Sequence, residues 1–341
     1  MKAIFFSTGS YEKEFLVTSA EQSDLQLELV DFRLTQETAV LTKGYDAVAI
    51  FTNDDASAPV LRILKENGVG ILALRSAGFN HVDIHEAEKL GLVVARVPAY
   101  SPYSVAEHTV AMMLTLNRKL HKAYQRVREQ NFSLHGMMGF DMHGKTVGVI
   151  GTGKIGEIVC TILKGFGCKL LAFDIKENPA CLKLGVKYVS KEEILSQSDI
   201  ITINCPLTPE TRHFISRDEL AATKKGVMLI NTSRGAIVDS KALIKSLKSG
   251  HVGYVGLDVY EEESDLFFKD LSEKVIQDDV FVRLMTFPNV LITSHQAFLT
   301  HEAVSAIERI TLENIISFGQ GNLLETNLVT SSFIAAVSTK V

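Results

Sequence analysis

Short runs of β-branched and aromatic residues alternate with helix-periodic segments along the first hundred positions. KAIFF (2–6), LQLELVDF (25–32), AVAIF (47–51), ILALRS (71–76) and VVARVP (93–98) read as strands, and PVLRILKENG (59–68) and IHEAEKLG (84–91) read as helices between them. This alternation marks a parallel α/β sheet, because parallel neighbours need a crossover helix. Residues 145–295 repeat it with KTVGVI, KLLAFD, DIITINC, VMLINTS, GYVGLDV and VLITSH, so the pattern predicts two α/β units. A helical pattern over about 299–319, with no strand after it, is expected to pack back on the first unit.

A long amphipathic segment, roughly 101–130, joins the two. Ser101 stands as a candidate N-cap with Pro102 in the first turn, where a missing N–H costs nothing. Glu107 sits early and Lys119, Lys122, Arg126 and Arg128 sit late, which suits the helix dipole. Val105, Met112, Met113, Leu116, Leu120 and Tyr124 recur at helical spacing. They serve either core packing or a subunit interface.

Composition narrows the class. A chain of 341 residues exceeds the size at which one core stops growing, so two domains sharing a cleft are expected. Apolar residues at 46% and charged residues at 22% describe a folded globular protein. A net charge of −5, with cations scattered among acids, argues against a nucleic-acid partner. Apolar runs are strand-sized and no signal-peptide core develops, so the expectation is a cytoplasmic protein without a membrane span. Cys160, Cys168, Cys181 and Cys205 lack metal-ligand spacing and read as reduced core thiols; no metal is expected.

Residues 145–174 carry the strongest chemical signal. The strand KTVGVI runs into Gly151, Thr152, Gly153, Lys154, Ile155 and Gly156, then a helix, then KLLAF ending in Asp174. Gly151 permits a tight turn, Gly153 lets backbone approach a pyrophosphate, and Gly156 lets helix and strand pack closely. The helix N-terminus offers free N–H groups and a positive dipole to phosphates. Asp174, 18 residues after Gly156, is placed to bond ribose hydroxyls and to repel a 2′-phosphate, which favours NAD over NADP.

Ligands of open α/β sheets gather at strand carboxyl ends. There, in the second unit, Arg234 follows VMLINTS, Glu263 follows GYVGLDVYEE, and His295 follows VLITS. Taken alone, each has a bland reading as solvated surface or structural histidine. Hydride transfer to a 2-keto acid, however, needs a planar cation to hold the carboxylate and polarise the carbonyl, which suits Arg234. It also needs a proton donor for the forming alkoxide, which suits His295, and a carboxylate to orient the imidazole, which suits Glu263.

GTGKIG, NTSRG, LDVYEEE and SHQAF, in this order and spacing, resemble the D-isomer-specific 2-hydroxyacid dehydrogenases over essentially the whole chain. ILALRSAGFNHVD, VPAYSP, LNRKLHKAYQRVREQNFSL, VIQDDVF and HQAFLT look closest to the bacterial fermentative D-lactate dehydrogenases. The resemblance implies NADH-dependent reduction of pyruvate to D-lactate by Arg234, Glu263 and His295, with Glu261 and Glu262 competing for the glutamate's place. It implies substrate contacts from Ser76, Ala77 and Gly78, pocket walls at Tyr100 and Phe298, and cofactor contacts at Ile155, Asp174, Pro206, Thr232, Asp258 and Thr109. Arg75, beside the substrate loop, either assists binding or forms a structural ion pair. Two Rossmann/flavodoxin-like parallel-sheet domains separated by a cleft follow from it, with residues 1–99 plus 299–341 taking substrate and 100–298 taking NAD. Closure over the substrate and a homo-oligomer, dimer or tetramer, built on the helix after residue 100 follow as well. The alternatives are an NAD-sensing corepressor-like binding protein of the same fold and a dehydrogenase for a larger 2-keto acid such as phenylpyruvate. Formate dehydrogenases lack the glutamate partner, and many phosphoglycerate dehydrogenases carry a further domain that this length does not hold.

Overall fold

A computed structural model describes residues 1–20 and 24–338. By its internal contacts the chain divides into two units, Met1–Ser101 with the segment from Leu299 onward, and Pro102–Phe298.

The first unit holds five parallel strands: β1 (Lys2–Phe5), β2 (Gln26–Leu29), β3 (Ala47–Ile50), β4 (Ile71–Leu74) and β5 (Val93–Ala95), in the order β2-β1-β3-β4-β5. That is the flavodoxin-like order. β3 and β4 are buried at every position, because both faces of a parallel sheet are covered, whereas the edge strand β2 alternates exposed and half-buried residues. Successive side chains feed two cores. Ile4, Val48, Ile50, Leu72 and Leu74 join one, and Ala3, Phe5, Ala49, Ile71 and Ala73 join the other, which is closed by Leu312 and Ile315 of the His301–Gly319 helix. The terminal helical pattern therefore packs on the first sheet as expected.

Just past β4, Arg75 is fully buried. Its Nη1 donates to Glu12 Oε2 at 2.5 Å and lies 3.8 Å from Glu308 Oε1, and its Nη2 donates to the carbonyls of Phe6 and Ser7. Arg75 is thus a structural ion pair, the second of its two readings. Burial pushes the Glu308 carboxyl up to about 8 against the pull of Arg75.

The second unit holds β6 (Thr146–Ile150), β7 (Lys169–Phe173), β8 (Lys187–Tyr188), β9 (Ile200–Ile203), β10 (Val227–Asn231), β11 (Val252–Leu257) and β12 (Val290–Ile292). All are parallel, in the order β12-β11-β10-β9-β6-β7-β8. Read from β8, the order reverses direction between β6 and β9, and such a switch point opens a ligand crevice at the strand carboxyl ends. The two-residue strand β8 has no counterpart among the predicted runs.

The amphipathic segment expected as one helix over 101–130 is two, Pro102–Arg118 and Leu120–Arg128, broken at Lys119, whose φ is +53°. The break separates the two readings of its apolar positions. Val105, Met112, Met113 and Leu116 are buried, while Leu120, Tyr124 and Val127 are 54%, 66% and 55% exposed. Cys160, Cys168 and Cys181 are buried free thiols; Cys205 is free but only half-buried. Among the described residues no helix is long and apolar enough to cross a membrane.

Candidate active site

The glycines of the fingerprint meet three different demands at the switch point. Gly151 follows β6 with φ +89°, and a Cβ there would lie 2.7 Å from the Cys205 nitrogen just past β9. A Cβ on Gly156 would lie 2.0 Å from the Gly151 oxygen, so only hydrogen lets the Lys154–Gly165 helix start this close to the strand. At Gly153, by contrast, a Cβ would meet nothing within 4 Å. The exposed backbone there caps the helix N-terminus, so the space is open to a phosphate. Of the other fingerprint residues, Lys154 is exposed and Ile155 half-buried.

Asp174 ends β7 and closes the loop from the other side. Its Oδ2 accepts from the Thr152 N–H at 2.6 Å and the Thr152 hydroxyl at 3.0 Å, and its Oδ1 accepts from the Lys176 N–H at 3.2 Å. A carboxylate offers about four acceptor positions, so a diol can still be bound. Thr152, Tyr188 and Asn178 support it. The Tyr188 hydroxyl donates to Thr152 Oγ1 at 2.8 Å, and Asn178 Nδ2 donates to the Thr152 carbonyl at 2.9 Å. These residues therefore fit a dinucleotide by their own geometry. Thr109, inside the Pro102–Arg118 helix, and Thr232 are both buried, their hydroxyls 2.7 Å apart, whereas the exposed Pro206 accepts from the Thr211 hydroxyl through its carbonyl at 2.7 Å.

His295 lies just past β12, with its Nδ1 2.7 Å from Glu263 Oε1. A carboxylate only accepts, so Nδ1 carries the hydrogen and Nε2 is the ring nitrogen that Glu263 leaves unengaged. Glu263 is held in turn, its Oε2 accepting from the Tyr260 N–H at 2.9 Å. Of the competing acids, Glu261 faces elsewhere. Glu261 Oε1 lies 2.6 Å from His213 Nε2 and 3.7 Å from Arg212 Nη2. The side chains of His295 and Glu263 are 18% and 24% exposed, so the pair is shielded but reachable.

Asp258 is the scaffold beneath this histidine. It is fully buried and accepts from the N–H groups of Gln296 and Ala297, each at 2.9 Å, and from the Thr293 hydroxyl at 2.6 Å. Its backbone carbonyl takes the His295 N–H at 2.7 Å. Burial raises its carboxyl, but His108, with Nε2 3.4 Å away, and Thr293 outweigh that and hold it below the usual aspartate value. Asp258 is thus sealed beneath the turn that carries His295, its carboxylate taken up by protein donors. His108 is a residue that sequence reasoning missed, since nothing in its helix distinguishes it from a surface histidine.

Arg234, half-buried, follows β10. Its Nη1 donates to the Ser233 carbonyl at 2.7 Å, and its own carbonyl accepts from Asn231 Nδ2 at 2.9 Å. The next residue, Gly235, packs so tightly that a Cβ would fall 2.0 Å from the Tyr260 carbonyl carbon. Backbone contact thus runs from Arg234 through Gly235 and Tyr260 to Glu263 and His295. The buried Phe298 belongs to this unit too. Ser76, Ala77, Gly78 and Tyr100 belong to the first unit. There the Ser76 hydroxyl donates to the Gly78 carbonyl at 2.7 Å, and Arg96 Nη1 donates to the Ala77 carbonyl at 2.9 Å. Among the described residues no group of acids, histidines and cysteines could hold a metal ion.

A model of the D-isomer specific 2-hydroxyacid dehydrogenase NAD-binding domain matches residues 110–297, and the chain belongs to that family. It is an NAD-dependent D-2-hydroxyacid dehydrogenase that reduces a 2-keto acid. A D-lactate dehydrogenase of Escherichia coli is 53% identical over 96% of this chain and the whole of that protein. The apo-structure of D-lactate dehydrogenase from Escherichia coli superposes with a TM-score of 0.88 at 50% identity, covering 97% of this chain and all of that one. A D-lactate dehydrogenase from Aquifex aeolicus, solved with NAD and lactic acid, superposes at 0.86 with 32% identity over 96% of this chain and 99% of that one. With relatives of this kind, the alternative of a purely NAD-sensing binding protein gives way to an enzyme.

Proposed function

We propose that this enzyme reduces pyruvate to D-lactate with NADH, reversibly, in the cytoplasm. The carrying observation is the 2.7 Å Glu263–His295 pair, which leaves one imidazole nitrogen for proton exchange at the carboxyl end of the sheet. The choice of pyruvate is supported by the 53%-identical relative named a D-lactate dehydrogenase.

When bound, the cofactor supplies the hydride. Gly151, Gly153, Lys154, Ile155 and Gly156 would hold its pyrophosphate, Asp174 its ribose, and Thr109, Pro206, Thr232 and Asp258 the remainder. Arg234 binds the carboxylate of the keto acid and polarises its carbonyl, a task that suits a guanidinium fork because it presents parallel donors to planar oxygens. His295 gives its Nε2 proton to the forming alkoxide, and Glu263 stabilises the imidazolium that precedes this transfer. In the reverse direction the same nitrogen takes the proton back. Ser76, Ala77 and Gly78 contact the carboxylate, with Tyr100 and Phe298 as walls. Residues 1–99 plus 299–341 serve the keto acid and 100–298 the dinucleotide; residues 21–23 and 339–341 lie outside the described residues. A homo-oligomer, at least a dimer, is supported by Leu120, Tyr124 and Val127, exposed on one face of a helix at i, i+4, i+7 spacing.

The test is NADH oxidation with pyruvate, 2-ketobutyrate, phenylpyruvate, oxaloacetate and hydroxypyruvate, followed by chiral analysis of the product. Pyruvate is expected to lead with a D product. A larger keto acid turning over faster would overturn the substrate assignment, and an L product would overturn the stereochemistry.

A further inference from the structure

The segment after Glu263 touches the same imidazole a second time. Glu263–Asp265 forms a short turn in which the N–H groups of Leu266 and Phe267 donate to the Glu263 carbonyl at 3.0 and 2.9 Å. Phe267 then points into the core, 4% exposed, its ring centroid 5.8 Å from that of Phe281. Phe268 goes the other way. With φ +63° it reverses the chain, and its ring centroid stands 5.9 Å from that of His295, the planes tilted by 37°. His295 has a left-handed backbone too, at φ +55°.

Left-handed backbone is costly for a bulky side chain and survives where the surroundings over-determine it, most often at functional sites. Here two such residues meet ring to ring. Asn, Asp or Gly would take the reversal at Phe268 at less cost, so local turn chemistry does not call for an aromatic residue.

We propose that Phe268 is a positioning residue for His295, a reading that rests on His295 as the proton donor. Glu263 holds the imidazole at its Nδ1 edge, but one hydrogen bond leaves the ring free to swing about that contact. The Phe268 ring, its centroid 5.9 Å away, packs beside the imidazole and limits the swing, so Nε2 keeps one direction. The π electrons of the phenyl ring also favour the charged imidazole over the neutral one. One short segment, Glu263 to Phe268, thus contacts the imidazole through both of its ends.

The experiment compares Phe268→Leu, which keeps apolar bulk but removes the ring, with Phe268→Tyr, which restores it, and with His295→Asn as the control. For Phe268→Leu, kcat for keto-acid reduction is expected to fall about two- to fivefold, the scale of an aromatic–cation contact at an exposed site, while the KM for NADH and the Tm stay near those of the parent. Phe268→Tyr is expected to keep a kcat close to the parent's. If His295→Asn collapses turnover while Phe268→Leu matches the parent, or if Phe268→Tyr loses as much as Phe268→Leu, the positioning role is overturned and the proton-donor reading stands. If His295→Asn turns over normally, the proton-donor reading falls and this proposal with it.

Discussion

Each unit carries a charged cluster just past a strand end, and the two are built in opposite ways. In the first, Arg75 after β4 turns its guanidinium inward to Glu12, to Glu308 and to two carbonyls, with the arginine and both acids at most 2% exposed. In the second, His295 after β12 is held by Glu263 through one nitrogen only, and both side chains keep about a fifth of their surface. A strand carboxyl end is therefore not a functional site by position alone. The first cluster is enclosed and holds backbone in place. The second is only partly covered and leaves one imidazole nitrogen unengaged by its carboxylate.

Removing one member of each cluster in turn is the direct way to break this comparison. The largest effect is expected from His295→Asn, with kcat for 2-keto-acid reduction falling about 10²–10⁴-fold, the usual worth of a general acid, while NADH binding measured by fluorescence is unchanged. Equal losses in binding and rate would make His295 a structural residue like Arg75. Next comes Arg75→Met, which leaves Glu12 buried without its cation. Urea unfolding should show a loss of about 3–5 kcal/mol, with little change in the KM for NADH. A marginal loss of stability would mean that the buried triad is not the anchor its contacts imply.

The smallest effect sharpens the comparison through pH. In the folded protein Glu308 holds its proton up to about 8, above its ordinary 4.5, so the folded state binds a proton that the unfolded chain releases across this window. The stability it contributes is present at low pH and drains away as pH rises from about 4.5 through about 8. Relative to the parent, Glu308→Gln should therefore gain in Tm as pH rises over that range. A parent-to-variant gap that stays flat with pH would show that Glu308 does not titrate there.

What could be read in advance follows the range of the forces involved. Gly151, Gly153, Gly156 and Asp174 were legible because a turn, an open approach and a close helix–strand contact each dictate a residue type within 24 positions. Arg234, Glu263 and His295 were legible as strand-end candidates, but which of three consecutive glutamates meets His295 is set by the turn at Tyr260–Glu263, and all three have the same side chain. The two readings of Arg75 could not be separated, since Glu12 and Glu308 lie 63 and 233 positions away. His108 and Phe268 carry no local mark, and contacts that only folding creates give them their places. The break at Lys119 was hidden because helical spacing of apolar residues continues through it.

The discontinuous first unit also imposes an order on synthesis. Its sheet strands emerge within the first 101 residues, yet the His301–Gly319 helix that covers Ala3, Phe5, Ala49, Ile71 and Ala73 comes only after Pro102–Phe298. At ribosomal speeds of about 5–20 residues per second, those 197 intervening residues (298 − 101) take roughly ten to forty seconds. During that interval one apolar face of the nascent sheet has Leu16 from the early Ser10–Ala20 helix but lacks the rest of its cover, while the later unit is contiguous and can fold as it appears. The N-terminal part of the chain is therefore where a holding chaperone would be needed during translation.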